Sequence, residues 1–105
     1  MKILTVEDDA VARALLRQAL KRLGHESIEA RDGEAAWDLL QTTENVRVVV
    51  SDWMMPNLDG PALCRRIRTW GVPWYVYVVL LTANTAKEAL VEGLRREALE
   101  QAAKR

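Results

Sequence analysis

Val46-Arg47-Val48-Val49-Val50-Ser51-Asp52-Trp53-Met54-Met55-Pro56-Asn57-Leu58-Asp59-Gly60-Pro61 is the stretch on which the reading of this 105-residue chain turns. Val46 to Ser51 is a run dominated by β-branched residues, the pattern of a strand buried on both faces of a parallel sheet. It stops at Asp52. A loop from Trp53 to Gly60 follows, and Pro61, well suited to a first helical turn, opens a helix through about Thr69.

Outward from this stretch, strand and helix periods alternate toward both ends. Arg31-Asp32-Gly33 turns into a helix with Ala36, Leu39 and Leu40 as its apolar stripe, and before it Glu26 to Ala30 is a weak, polar strand suited to a sheet edge. Lys2 to Val6 is a short apolar strand ending on Glu7-Asp8-Asp9, where Asp8 or Asp9 can cap the next helix. That helix carries Ala12, Leu15, Leu16, Ala19, Leu20 and Leu23 on one face. Arg13, Arg17 and Lys21 line the other, and Gly24 stands where a C-cap belongs. On the C-terminal side, Gly71-Val72-Pro73 breaks the chain before a strand from Trp74 to Leu81. Thr85-Ala86-Lys87-Glu88 then has the capping-box pattern and predicts a helix to the end, with Leu90, Val91, Leu94, Ala98 and Ala102 sharing a face.

Four strand–helix units in series predict an α/β fold: an open parallel sheet of about four strands with right-handed crossovers, flanked by helices. The length supports one domain over residues 1–105, with no repeat or linker. Its 15 basic and 15 acidic side chains cancel, which argues against direct nucleic-acid binding or a polybasic membrane anchor. Residues 1–52 hold 7 basic and 10 acidic groups and residues 53–105 hold 8 and 5, so the asymmetry between halves is mild. The single cysteine, Cys64, excludes an internal disulfide, fits a reducing cytoplasm, and is expected as a small core residue. The apolar run Val76–Leu81 is too short to span a bilayer. Trp53 is expected at the rim of the site, Trp37, Trp70 and Trp74 in packing, and His25 at the surface.

Open parallel sheets bind ligands outside the carboxyl ends of their strands, where the winding reverses. Those ends offer Glu7 and Asp8, Asp52, and Thr82. Crowded carboxylates repel and call for a cation; an all-oxygen set with open positions suits Mg²⁺ (or Mn²⁺), which keeps waters and accepts phosphate oxygens. Asp52 can then act as a nucleophile toward a phosphoryl group, forming an acyl phosphate, with Thr82 donating to a phosphoryl oxygen.

Three segments carry a resemblance: Ile3-Leu4-Thr5-Val6-Glu7-Asp8-Asp9, Val48 to Gly60 with its Asp-x-Met-Met-Pro-x-x-Asp-Gly pattern, and Leu80-Leu81-Thr82-Ala83. From residue 1 to about 94 the chain resembles the receiver domain of two-component response regulators, a flavodoxin-like fold. The resemblance implies that Asp52 is the phosphoacceptor and Asp8 a direct Mg²⁺ ligand. It further implies that Glu7 supports the metal through water, that Met54 contributes its backbone carbonyl, and that Thr82 is the switch hydroxyl. The implied partner is a histidine kinase or phosphotransfer protein, and enzymatic character is limited to self-phosphorylation and self-dephosphorylation.

The C-terminus departs from that pattern. Lys104 has the family's spacing from Thr82, but Arg105 replaces the usual proline and Gln101 stands where a switch aromatic belongs. Arg95 to Lys104 is rich in strong helix formers and has no β-branched residue. We therefore expect residues 1–83 as a family-like core and 84–105 as a terminal helix in place of the fifth strand, which would carry Lys104 away from the site. Relative to the family the chain reads as truncated or rebuilt. The Trp74–Leu81 strand then becomes an apolar edge, and a homodimer through that edge, or through exchange of the C-terminal helix, is expected.

Two functions compete. One is a Mg²⁺-dependent phosphoacceptor whose output is altered association; the other is a non-switching receiver scaffold that acts as a dimerisation or interaction module. An aspartate-nucleophile phosphatase is disfavoured because Met54, not an acid, lies two residues after Asp52. Nucleotide binding lacks a glycine-rich phosphate loop.

Overall fold

The structure, a computed structural model, describes residues 1–81 and Arg96. Seven elements alternate in type: β1 (Lys2–Val6), α1 (Ala10–Arg22), β2 (Glu26–Ala30), α2 (Gly33–Thr42), β3 (Val46–Asp52), α3 (Gly60–Arg68) and β4 (Tyr77–Leu81). Every strand pair is parallel and the order is β2-β1-β3-β4. The expected open parallel sheet is therefore present. Thr82, Lys104 and, apart from Arg96, the expected terminal helix lie outside the described residues.

Each of the three described helices starts on an aspartate. Asp9, Asp32 and Asp59 have extended backbone, and their carboxylates accept from the N–H of Ala12, Ala35 and Ala62 at 3.2, 2.8 and 2.8 Å. These bonds occupy donors that no helical carbonyl can reach. Of the two candidates for the first cap, Asp9 fills the role and Asp8 is left for other work. Helix α1 ends where Gly24 takes φ 84°; its N–H donates to Lys21 O and that of His25 to Leu20 O, a Schellman closure that only a left-handed residue permits.

Residue alternation on β1 divides the core between two faces. Leu4 and Val6 join Ala30, Ala36, Leu40, Val46, Val49, Leu58, Leu63, Ile67 and Val76 in one buried cluster. Ile3 is also buried but stands outside it, as do Ala12 and Leu16 of α1. Among the described residues the sheet is thus covered unequally. On β4, Tyr77 and Val79 remain 63% and 48% exposed.

One irregularity sets the register. Lys2 pairs with Val46, but Ile3 pairs with Val48, so Arg47 is an extra residue in β3. Such a bulge re-aims a side chain, and the Arg47 guanidinium lies 4.5 Å over the Trp74 ring. Trp74 in turn meets Trp70 edge-on, and Trp70 meets Trp37. That packing, together with the 2.6 Å bond from Arg68 Nη2 to Val76 O, explains why β4 begins at Tyr77 rather than at Trp74. The tryptophans pack as expected. Cys64 is half-buried rather than fully enclosed, and His25 is half-buried with its Nδ1 inaccessible.

Leu63 is wholly enclosed between α3 and the sheet. Leu63→Ala is expected to lower unfolding free energy by about 2–5 kcal/mol, the lost transfer energy plus the residual cavity, as read from urea denaturation.

Candidate phosphoacceptor and metal site

The order β2-β1-β3-β4 means that the chain winds outward from β1 to β2, then crosses back to place β3 on β1's other side. The reversal opens a crevice at the carboxyl ends of β1 and β3. Val6 pairs with Ser51, so the next residues along, Glu7 and Asp52, emerge side by side. Carboxylate oxygens of Glu7, Asp8 and Asp52 all lie within 4.8 Å of one another. Glu7 is 1% and Asp52 6% exposed, whereas Asp8 is open to solvent.

Each buried acid is oriented by backbone. Glu7 Oε1 accepts from Asp9 N at 3.0 Å, and Asp52 Oδ1 accepts from Trp53 N at 2.9 Å. Trp53 N also donates to Leu81 O at 3.1 Å, tying the site to the last described residue of β4. Trp53 itself is 39% exposed, the expected rim position.

The donor set fits a hard divalent cation. It contains carboxylate oxygen and neither thiolate nor imidazole, and three like charges at this spacing repel unless a cation offsets them. Two atoms bound directly to Mg²⁺ are at most about 4.2 Å apart. The spacing of the three carboxylates thus lets one ion draw on them directly or through water. Of the other expected site residues, Met54 lies in the loop after β3 with its side chain 71% exposed.

The loop from Trp53 to Asp59 is held by close backbone approaches. Gly60 N donates to Trp53 O at 2.9 Å, and a Cβ on Gly60 would stand 2.5 Å from Asp52 O. Leu58 N bonds to Pro56 O, Asn57 takes φ 70°, and Leu58 is buried. Under it sits Gly33 at the start of α2, where any Cβ would collide with Leu58 O. Asn57 Nδ2 donates to Asp32 Oδ2 at 3.0 Å, so the cap of α2 also clamps the loop that follows Asp52. The Ala35 N–H above all, then Asn57 and Arg31, hold the Asp32 carboxyl below the usual carboxylate range against the opposing effect of desolvation.

Two contributors to the site lie outside what the residue pattern predicts. Arg13, assigned only to the polar face of α1, donates from Nη1 to Glu7 O at 2.9 Å and Asp8 O at 3.0 Å. Its place one turn after the Asp9 cap was the available signal, because a long side chain there leans back toward the helix start. The pattern at Asp32 and Gly33 predicts a turn into α2; their contact with Asn57 and Leu58 spans the chain and leaves no local pattern.

Residues 3–105 match the profile of the response regulator receiver domain. The chain belongs to the response-regulator receiver family. A chemotaxis CheY homologue of Campylobacter jejuni is 33% identical over 96 residues, covering 90% of this chain and 74% of that protein. The receiver domain of a signal transduction histidine kinase from Syntrophus aciditrophicus superposes with a TM-score of 0.70 at 30% identity, covering 89% of this chain and 71% of its own. A receiver domain of Saccharomyces cerevisiae, solved with a histidine phosphotransfer signalling protein, shares the fold at a TM-score of 0.72 and 22% identity, over 87% and 72% of the two chains. This receiver is thus a signalling module of two-component type rather than a conventional enzyme. Among its described residues, no helix is long and apolar enough to cross a membrane.

Folding lowers the Asp32 pKa, so its contribution is complete above the ordinary carboxylate value of about 4 and is lost as pH falls through the folded-state value. Asp32→Ala is expected to cost about 1 kcal/mol near neutrality. In urea denaturation at a series of pH values, the gap between variant and parent should narrow below about pH 4.

Proposed function

We propose that this receiver accepts a phosphoryl group on Asp52 from a phosphohistidine donor, a kinase or phosphotransfer protein, or from a small acyl phosphate. The observation that carries the reading is the convergence of the Glu7, Asp8 and Asp52 carboxylates within 4.8 Å at the sheet's winding reversal. Asp8 and Asp52 would hold Mg²⁺ (or Mn²⁺) directly, Glu7 through water, and Met54 by its carbonyl. When bound, the ion supplies positive charge that offsets the carboxylates and the phosphoryl oxygens.

In the transfer, an Asp52 carboxylate oxygen forms the new bond to phosphorus. The donor's P–N or P–O bond breaks, and the leaving group departs with the electron pair. Trp53 N orients Asp52 by its bond to Oδ1. Thr82 would donate its hydroxyl to a phosphoryl oxygen and so report the modification to β4, while Lys104 would be a phosphate contact only if the chain returns it to the crevice. Altered association is the output we assign.

Intact mass after incubation with Mg²⁺ and a small acyl phosphate tests this. The expected result is a gain of one phosphoryl group that is lost in Asp52→Asn and in metal-chelated samples. No gain in the parent chain would refute the acceptor role.

A second reading is favoured by the exposure of Tyr77 and Val79 on β4, which stands last in the sheet order among the described residues. Here the scaffold pairs with a second copy through that strand, or exchanges its C-terminal segment, without regard to phosphorylation. Light scattering should then give a dimer, shifted toward monomer by the double substitution Tyr77→Ser with Val79→Lys. A monomer at all concentrations sinks it.

A further inference from the structure

We propose that Arg13 is a positioning residue of the acidic site, setting its affinity for a divalent cation through the backbone of the β1–α1 loop. The proposal rests on the reading of Glu7, Asp8 and Asp52 as the cation site, and deepens it by naming what holds two of the three carboxylates in place.

The loop is only three residues long, Glu7 to Asp9. Its two ends are fixed by Glu7 N bonding to Ala30 O at 3.0 Å and by Asp9 capping α1. Between them, one guanidinium nitrogen, Nη1 of Arg13, takes the carbonyls of both Glu7 and Asp8. The same side chain is 17% exposed, and its Nε lies 3.9 Å from Glu29 Oε2 on β2. Glu29 is also held by Arg17 at 2.6 Å. Thus a charged fork pre-set by Glu29 reaches from α1 into the loop and turns its carbonyls toward the helix.

The Asp8 carboxylate depends most on this arrangement. No hydrogen bond or ion pair of its own holds that exposed side chain among the described residues. Its direction is therefore set by the peptide units on either side, the ones Arg13 grips. Glu7 has Asp9 N as a second support, so it is less exposed to the loss.

Positioning and simple charge effects predict opposite signs. Removing Arg13 deletes a positive charge near three carboxylates and leaves Glu29 less compensated, so electrostatics alone predicts tighter cation binding. Loss of the anchor lets the Asp8 carboxylate wander and predicts weaker binding. Outer partners of metal ligands typically govern affinity by tenfold or more.

The test is a Mg²⁺ titration of the full chain by calorimetry and tryptophan fluorescence, with Arg13→Ala, Arg13→Lys and Arg17→Ala compared. Arg13→Ala should bind Mg²⁺ roughly tenfold more weakly. Arg13→Lys, which keeps the charge but not the fork, should recover only part of the loss, and Arg17→Ala should stay within about twofold of the parent. Unchanged or tighter binding in Arg13→Ala overturns the proposal. Amide hydrogen exchange at Asp9, whose N–H is bonded to Glu7 Oε1, measured without metal, should be accelerated in Arg13→Ala while the β1 amides stay protected. Unaltered exchange there overturns it as well, even if the parent chain binds no Mg²⁺, an outcome that would refute the cation site itself.

Discussion

Parallel pairing of β1 with β3, in a register displaced by one residue, is the constraint on which the site depends. The extra residue, Arg47, lies at the start of β3. Downstream of it Val6 faces Ser51, so Glu7 and Asp52 leave the sheet as neighbours. Without the bulge, Val6 would face Val50 and Glu7 would meet Ser51. A shift of one residue also turns every later side chain to the opposite face, which would drive Asp52 out of the crevice and Val49 out of the core. An irregularity at one end of the strand is therefore what aligns acids at the other. Its stability comes from outside the ladder, through the Arg47 guanidinium over the Trp74 ring and the edge-on contact of Trp74 with Trp70.

Bringing three carboxylates together stores repulsion, and the fold carries that cost in the loops rather than in the sheet. The segment after Asp52 is braced against α2 and α3: Gly60 admits the Asp52 carbonyl, Gly33 admits Leu58 O, and Asn57 bridges to Asp32. The segment before α1 is braced by Arg13 and by the Asp9 cap. Backbone contacts made by glycines leave no slack, because a glycine without Cβ allows approach at distances where any other residue must push back. The aspartates thus serve two ends, with Asp9, Asp32 and Asp59 capping helices while Asp8 and Asp52 face the crevice.

The two faces of the sheet differ in purpose. The face toward α2 and α3 buries Leu4, Val6, Val49, Leu63 and Ile67 in one cluster, the larger share of the enclosed apolar surface. The opposite face has α1 over β1 and β2, and at β4 it shows Tyr77 and Val79 to solvent. Trp53 N joins the halves, since it bonds both Asp52 Oδ1 and Leu81 O. Asp52 and the end of β4, the strand with the most exposed apolar surface among those described, are therefore held by one shared N–H.

Element type and order were legible in the residues because period and capping are local. The β-branched run of β3, the apolar stripes of α1 and α2, and Gly24 at a left-handed helix end each state their conformation within a few positions. The acidic residues at strand ends, and the winding rule for parallel sheets, sufficed to name Glu7, Asp8 and Asp52 together. β4 starts three residues later than the residue pattern predicts, since Trp74 and Tyr75 have strand propensity but are claimed by ring packing and by arginines from β3 and α3. Choosing Asp9 over Asp8 as cap, inserting Arg47, lodging Leu58 over Gly33 and turning Arg13 onto two carbonyls were likewise beyond local pattern. The sequence by itself determined which acids meet at the crevice, because that follows from residue type at strand ends and the winding of the sheet. Tertiary structure alone decided the register and the braces, because these depend on contacts between residues far apart in the chain, whose energies no short window contains.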